Sequence, residues 1–204
     1  MEEMDLGKIV ADMAEMDLML RASDSLEQFT DYYQKNEAQL KKEFLRPFQE
    51  LFKRGSTLQT ERKQQEIAIL AITVLRSFIM EHCYQLRLDL YNAAYFLDPV
   101  ECSAFLNLEY LFKYIDTDIE QFINGLKECG AKYTSYEVDK IKNNYIEVYA
   151  SIAQDYLAEQ IPAILELKEF SLLKKTPDFK IIYGEYHDQT VTIYDATASE
   201  SEEG

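Results

Sequence analysis

The chain has 204 residues, enough for one domain with a sizeable core, or for one domain and an appendage. Its formal net charge is −16, from 37 acidic and 21 basic residues, which argues against a surface that neutralises nucleic-acid phosphates or an anionic membrane. A hydrophobic fraction of 47% excludes a wholly disordered chain, and the scarcity of punctuating residues (6 Gly, 4 Pro) points to long helices joined by short loops.

Residues 4–21 are amphipathic, with Leu6, Ile9, Val10, Met13, Met16, Met19 and Leu20 at helical spacing. Glu2, Glu3, Asp5, Asp12, Glu15 and Asp17 stand where a secretory signal carries positive charge and an unbroken apolar run, so no such signal is expected. Cys83, Cys102 and Cys129 are odd in number and widely spaced, and read as free thiols of a cytoplasmic protein. Ser23-Asp24-Ser25 offers an N-cap for a second helix running to about Arg54 and ending at Gly55, with Pro47 expected to kink or split it.

The most apolar stretch is EIAILAITVLRSFIMEHCYQL, residues 66–86. Arg76 and Glu81 interrupt it, which excludes a membrane span of about 20 apolar residues. Two stripes, one through Ile69, Ile72, Leu75, Ile79 and Cys83, the other through Ile67, Leu70, Val74, Phe78 and His82, predict a central buried helix. No Gly or Pro occurs from Ser56 to Asp98. One helix over that length reaches on the order of 60 Å, so whether the segment is one helix or two stays open.

DPVE at 98–101 predicts a helix start, with Asp98 as N-cap and Pro99 in the first turn. That helix would carry Phe105, Leu108, Leu111 and Phe112. DTDIEQFINGLKECG at 116–130 predicts a short helix ending at Gly130, and TSYE at 134–137 opens a long one, interrupted by Pro162. After Pro177 the composition turns to Ile, Val, Thr and Tyr around a polar turn at 187–189, which reads as a β-hairpin. The expected architecture is therefore mainly all-α. It comprises a bundle of six or seven helices over 1–176, a small C-terminal β-hairpin at 177–195 packed on the bundle or on a partner, and a disordered acidic tail at 196–204.

Few chemical motifs stand out. Neither His82 nor His187 has a Glu three residues before it, and there is no Cys-x-x-Cys. DTDIE resembles the start of a calcium loop but has Gln121 where the glycine belongs and Lys127 where the last glutamate belongs. No metal and no cofactor are expected. Nucleophile elbows, phosphate-binding loops and dinucleotide fingerprints are missing, which lowers the expectation of an enzyme.

RSFIMEH places Arg76 and His82 in one segment, with Ser77 after the arginine. This resembles the active-site pattern of HEPN-type ribonucleases, an all-helical family. The resemblance implies cleavage of RNA phosphodiester bonds in a dimer cleft by Arg76 and His82. The sequence also has 15 tyrosines and no tryptophan. Tyrosine suits half-wet positions at protein interfaces, which makes Tyr145, Tyr149 and Tyr156, and Tyr183, Tyr186 and Tyr194 of the hairpin, candidate partner-binding residues. Asp98, Glu101, Glu109, Asp116, Asp118 and Glu120 would form the acidic surface of an inhibitor or nucleic-acid mimic that covers a basic site. The leading expectation is a non-catalytic cytoplasmic interaction or regulatory module. It would bind another protein or a second copy of itself, with no direct nucleic-acid or membrane contact. The acidic inhibitor and the ribonuclease are the alternatives.

Overall fold

The computed structural model describes residues 6–75, 84–128, 130, 134–186 and 189–199. The helices come with a five-stranded mixed sheet, so the fold is α/β, not an all-α bundle with a small hairpin. In chain order, α1 is Leu6–Thr60, β1 Ile67–Val74, β2 Gln85–Tyr91 and β3 Ser103–Asn107. Then follow α2 (Glu109–Phe112), α3 (Tyr114–Glu128), α4 (Ser135–Leu165) and α5 (Lys168–Leu172). β4 (Lys175–Glu185), β5 (Thr190–Asp195) and α6 (Ala196–Ser199) complete the described elements. The chain forms two compact units, one of residues 1–37 with 109–151, the other of 38–108 with 152–204, where the sequence reading placed a boundary at 176.

The predicted central helix is the main correction. Ile67–Val74 is a strand between β2, antiparallel, and β4, parallel, in the order β3-β2-β1-β4-β5. A strand buried on both faces reads as a continuous apolar run, and such a run also satisfies helical spacing at every step. Ala68, Leu70, Ala71, Ile72 and Thr73 are all buried, which is the two-faced burial a central strand requires. The expected helix at DPVE is also absent. Asp98 instead closes a loop, its Oδ2 accepting from the Asn92 N–H (2.8 Å) and Gln64 Nε2 (3.0 Å), its Oδ1 from the Val100 N–H (3.0 Å).

In the sheet-bearing unit, Leu70 and Ile72 of β1, Leu86, Leu88 and Leu90 of β2, and Ile181 and Tyr183 of β4 share one buried face. The α1 stripe of Leu40, Phe44, Phe48, Leu51 and Phe52 is buried at helical spacing. Gly55 lies where α1 approaches the sheet: a Cβ there would sit 2.8 Å from Leu90 Cδ1 and 2.9 Å from Leu173 Cδ1. So this glycine allows close packing and does not end the helix, which runs on to Thr60. Gln59 ties the end of α1 to β4, its Nε2 donating to the Lys174 carbonyl (2.8 Å) and its Oε1 accepting from the Lys174 N–H (2.9 Å).

On the opposite face, Arg87 grips Asp89 with three contacts of 2.8 to 3.0 Å and reaches Glu101 at 3.1 Å. Tyr186 lies 5.3 Å below the guanidinium, beside an aromatic group of Tyr91, Tyr95 and Phe96. Tyr95 holds a left-handed φ of 53°, uncommon for a bulky residue, at the end of a turn that Asn92 Oδ1 caps by accepting from the Ala94 N–H.

The helical unit takes the first part of α1, with α2, α3 and the start of α4. α1 breaks at Asn36 (φ −124°, ψ 15°), not at Ser23–Ser25 or Pro47. There the Asn36 side chain donates to the Tyr32 carbonyl at 2.8 Å, taking the acceptor that the helical N–H would use. The box at TSYE forms reciprocally: Thr134 N–H and Oγ1 donate to Glu137 Oε2 (2.7 and 2.8 Å), and the Glu137 N–H donates to Thr134 Oγ1. α4 passes through Pro162 without ending.

Candidate functional site

Two places concentrate features that folding alone does not require. The first is the outer edge of β5. β4 and β5 pair antiparallel, but as part of the five-stranded sheet rather than as an appendage, since β4 also pairs with β1. The Glu185 N–H donates to the Gln189 carbonyl at 3.1 Å. Strand alternation then turns the main-chain groups of Gln189 and Val191 toward β4, and those of Thr190 and Thr192 outward. Val191 is 47% exposed and shares the face of Tyr183, its cross-strand partner. Gly184 sets the turn, with φ 157°; a Cβ there would meet the Gln189 carbonyl oxygen and come 2.7 Å from Thr190 Cα. At the other edge of the sheet, Arg54 Nη1 already donates to the Ser103 carbonyl of β3 at 2.7 Å.

The second place is in the helical unit. Asp118 stands on the α3 stripe of Ile115, Asp118, Ile119 and Phe122, and is buried with it. Its Oδ2 accepts from Tyr145 OH (2.6 Å), Ser25 Oγ (2.9 Å) and Tyr149 OH (3.4 Å). Burial first, and then Asp118, push the Tyr149 hydroxyl up to about 12 and Tyr145 higher still. A cleft of about 410 Å³ opens beside this cluster, lined by residues that include Arg21, Asp24, Gln28, Lys113 and Asp118 itself.

The predicted tyrosines divide accordingly. Tyr145, Tyr149, Tyr156 and Tyr183 are buried, Tyr156 edge-on to Phe44 at 5.6 Å. Tyr194 is half-buried against Phe179, and Tyr186 is exposed. The structure does not gather the six on one surface. Of the acidic candidates, Asp118 is inside, Asp98 closes its loop, and Glu101 is exposed but paired with Arg87. Glu109, Asp116 and Glu120 are exposed in the helical unit. Arg76 and His82, the HEPN-like pair, lie outside the described residues, as does His187. The sequence reading placed Asp118 on the surface, although the stripe of Ile115, Ile119 and Phe122 around it carries the signal that it points inward. It did not single out Arg87 or Asp89, whose spacing of two marks one face of a strand.

Among the described residues, no group of three His, Cys, Asp or Glu side chains is placed to hold a metal ion, and no helix is long and apolar enough to cross a membrane. Comparison with protein-family models, with curated proteins and with solved structures finds no match to the chain.

Proposed function

We propose that this chain is a protein-binding module that takes an extended segment of another protein along the outer edge of β5. The observation that carries the reading is that β5 is the last strand of the sheet. It presents outward main-chain groups at Thr190 and Thr192 beside the exposed Val191. Strand addition at such an edge draws affinity from main-chain hydrogen bonds and specificity from alternate side chains. The partner segment is basic. Residues 177–204 hold seven acidic groups against the single Lys180, and Lys180 is spent on Asp195 at 3.0 Å. The chain's formal net charge of −16 likewise disfavours association of two copies.

The test is selection of extended peptides from a displayed random library, with Thr192→Pro as the counter-screen. Proline removes the outward N–H but leaves the contacts to β4, since Thr192 does not donate to that strand. The expected outcome is basic peptides with β-branched residues that bind the wild-type chain and lose at least tenfold in affinity on Thr192→Pro. Enriched peptides that bind the variant equally well, or no enrichment, would refute the proposal.

A further inference from the structure

The cleft of the helical unit has an internal order that follows from four contacts. Arg21 Nη1 donates to Gln121 Oε1 (2.8 Å), Ser25 Oγ donates to Asp118 (2.9 Å), Phe29 stacks on Tyr110 (6.2 Å), and Lys113 Nζ lies 4.3 Å from the Tyr32 ring. From Arg21 through Ser25 to Phe29 the partners fall from Gln121 through Asp118 to Tyr110, so the two segments run antiparallel, with Lys113 reaching the Tyr32 ring near the far end. The groove between them therefore reads, from end to end, Arg21, then Asp24 and Asp118, then Lys113. Its charges alternate plus, minus, plus.

Two groups in this order, Asp118 Oδ1 and the Lys113 ammonium, make no hydrogen bond or ion pair among the described residues. Asp118 is 93% buried, yet all three hydroxyls that hold it converge on Oδ2, and Oδ1, which has no donor, belongs to a residue lining the cleft. Oδ1 is not sealed from solvent, so a donor in the cleft can reach it. Lys113 touches only the Tyr32 and Tyr114 rings and no carboxylate. Arg21 commits Nε to Asp17 and Nη1 to Gln121, which orients the guanidinium at its end of the groove and leaves Nη2 over.

We propose that this cleft binds an acidic amino acid, its ammonium on Asp118 Oδ1 and Asp24 and its two carboxylates toward Arg21 and Lys113. The ligand pattern is minus, plus, minus, the complement of the groove, and a cleft of about 410 Å³ has room for it. The hydroxyls of Ser25, Tyr145 and Tyr149 fix the Asp118 carboxyl before the ligand arrives, so no orientation has to be gained on binding.

The experiment is calorimetric and ligand-observed NMR titration of the full chain with L-glutamate, with glutarate (no ammonium) and with 1,5-diaminopentane (no carboxylate). L-glutamate should bind saturably, at least tenfold tighter than either analogue. Lys113→Met should weaken it by about tenfold to a hundredfold, the loss of one charge-assisted hydrogen bond. Asp118→Asn should act similarly. Because Asp118 also holds three hydroxyls, the exposed Lys113 carries the test if that variant fails to fold. The proposal is overturned if L-glutamate shows no saturation at millimolar concentration. It is equally overturned if either analogue matches L-glutamate, or if a folded Lys113→Met protein binds it like wild type.

Discussion

Removing Arg87 should be among the most damaging single changes to the sheet, and the reason can be tested by a second change that repairs it. Asp89 has only 4% of its side chain exposed, and Arg87 satisfies both its oxygens. Arg87→Met keeps the length of the side chain and strands a buried carboxylate, a loss that costs about 3–5 kcal/mol where a buried pair is broken. Against a total stability of about 5–15 kcal/mol for a typical domain, that is a large fraction. Adding Asp89→Leu removes the stranded charge and restores apolar contact, so the double variant should be more stable than Arg87→Met by about 2 kcal/mol or more. Glu101→Gln is the control. Its side chain is 74% exposed, and an exposed ion pair is worth at most about 1 kcal/mol. Urea unfolding, read by hydrogen exchange at the β1 and β2 amides, measures all three. An Arg87→Met cost below about 1 kcal/mol, or a double variant less stable than the single one, would show that the pair does not bear on the sheet as argued.

Gly184→Ala should cost about 1–3 kcal/mol from the backbone conformation alone, with the collision against Gln189 and Thr190 in addition, and should strip exchange protection from β5 before the rest of the sheet. Alkaline pH should destabilise the fold. Tyr149 is held at about 12 when folded against an ordinary 10.0, and Tyr145 and Tyr183 are raised by burial, so the folded chain keeps protons that the unfolded chain releases. That contribution is complete below pH 10 and is lost as the pH climbs through 12, at about 1.4 kcal/mol per pH unit for each such group. A stability that stays level from pH 9 to pH 11.5 would contradict it. Burial pushes the Cys102 thiol up to about 11, so iodoacetamide at pH 8 should leave it unmodified in the native chain and alkylate it in urea, as peptide mass mapping would report.

How much of this was readable beforehand depended on whether a signal was local. The box at Thr134 and Glu137 needs four residues and forms as its spacing implies. The strand composition after Pro177 is likewise visible, but not that β4 would lie parallel to a strand a hundred residues earlier. Ile67–Val74 was ambiguous in principle. Where every position is apolar, the period vanishes, and the β-branched Ile67, Ile69, Ile72, Thr73 and Val74 were the remaining hint. The scarcity of Gly and Pro argued for helices too strongly, because the turn after β2 is capped by Asn92 without either residue. In α1 the break fell at Asn36 and not at Pro47, because a side-chain amide competing for a carbonyl leaves little trace in a sequence. Residue type alone offers Tyr145, Tyr149 and Asp118 as surface positions, and all three are buried. Their meeting is a tertiary fact, and only the burial of the α3 stripe reveals it.

The central claim is that β5 accepts a strand. The most direct measurement is amide hydrogen exchange at single-residue resolution with and without a peptide selected against the chain. The Thr190 and Thr192 amides, which face outward in the free protein, should become strongly protected on binding, while the Val191 amide, already turned to β4, should change little. Protection elsewhere, with Thr190 and Thr192 unchanged, would contradict it.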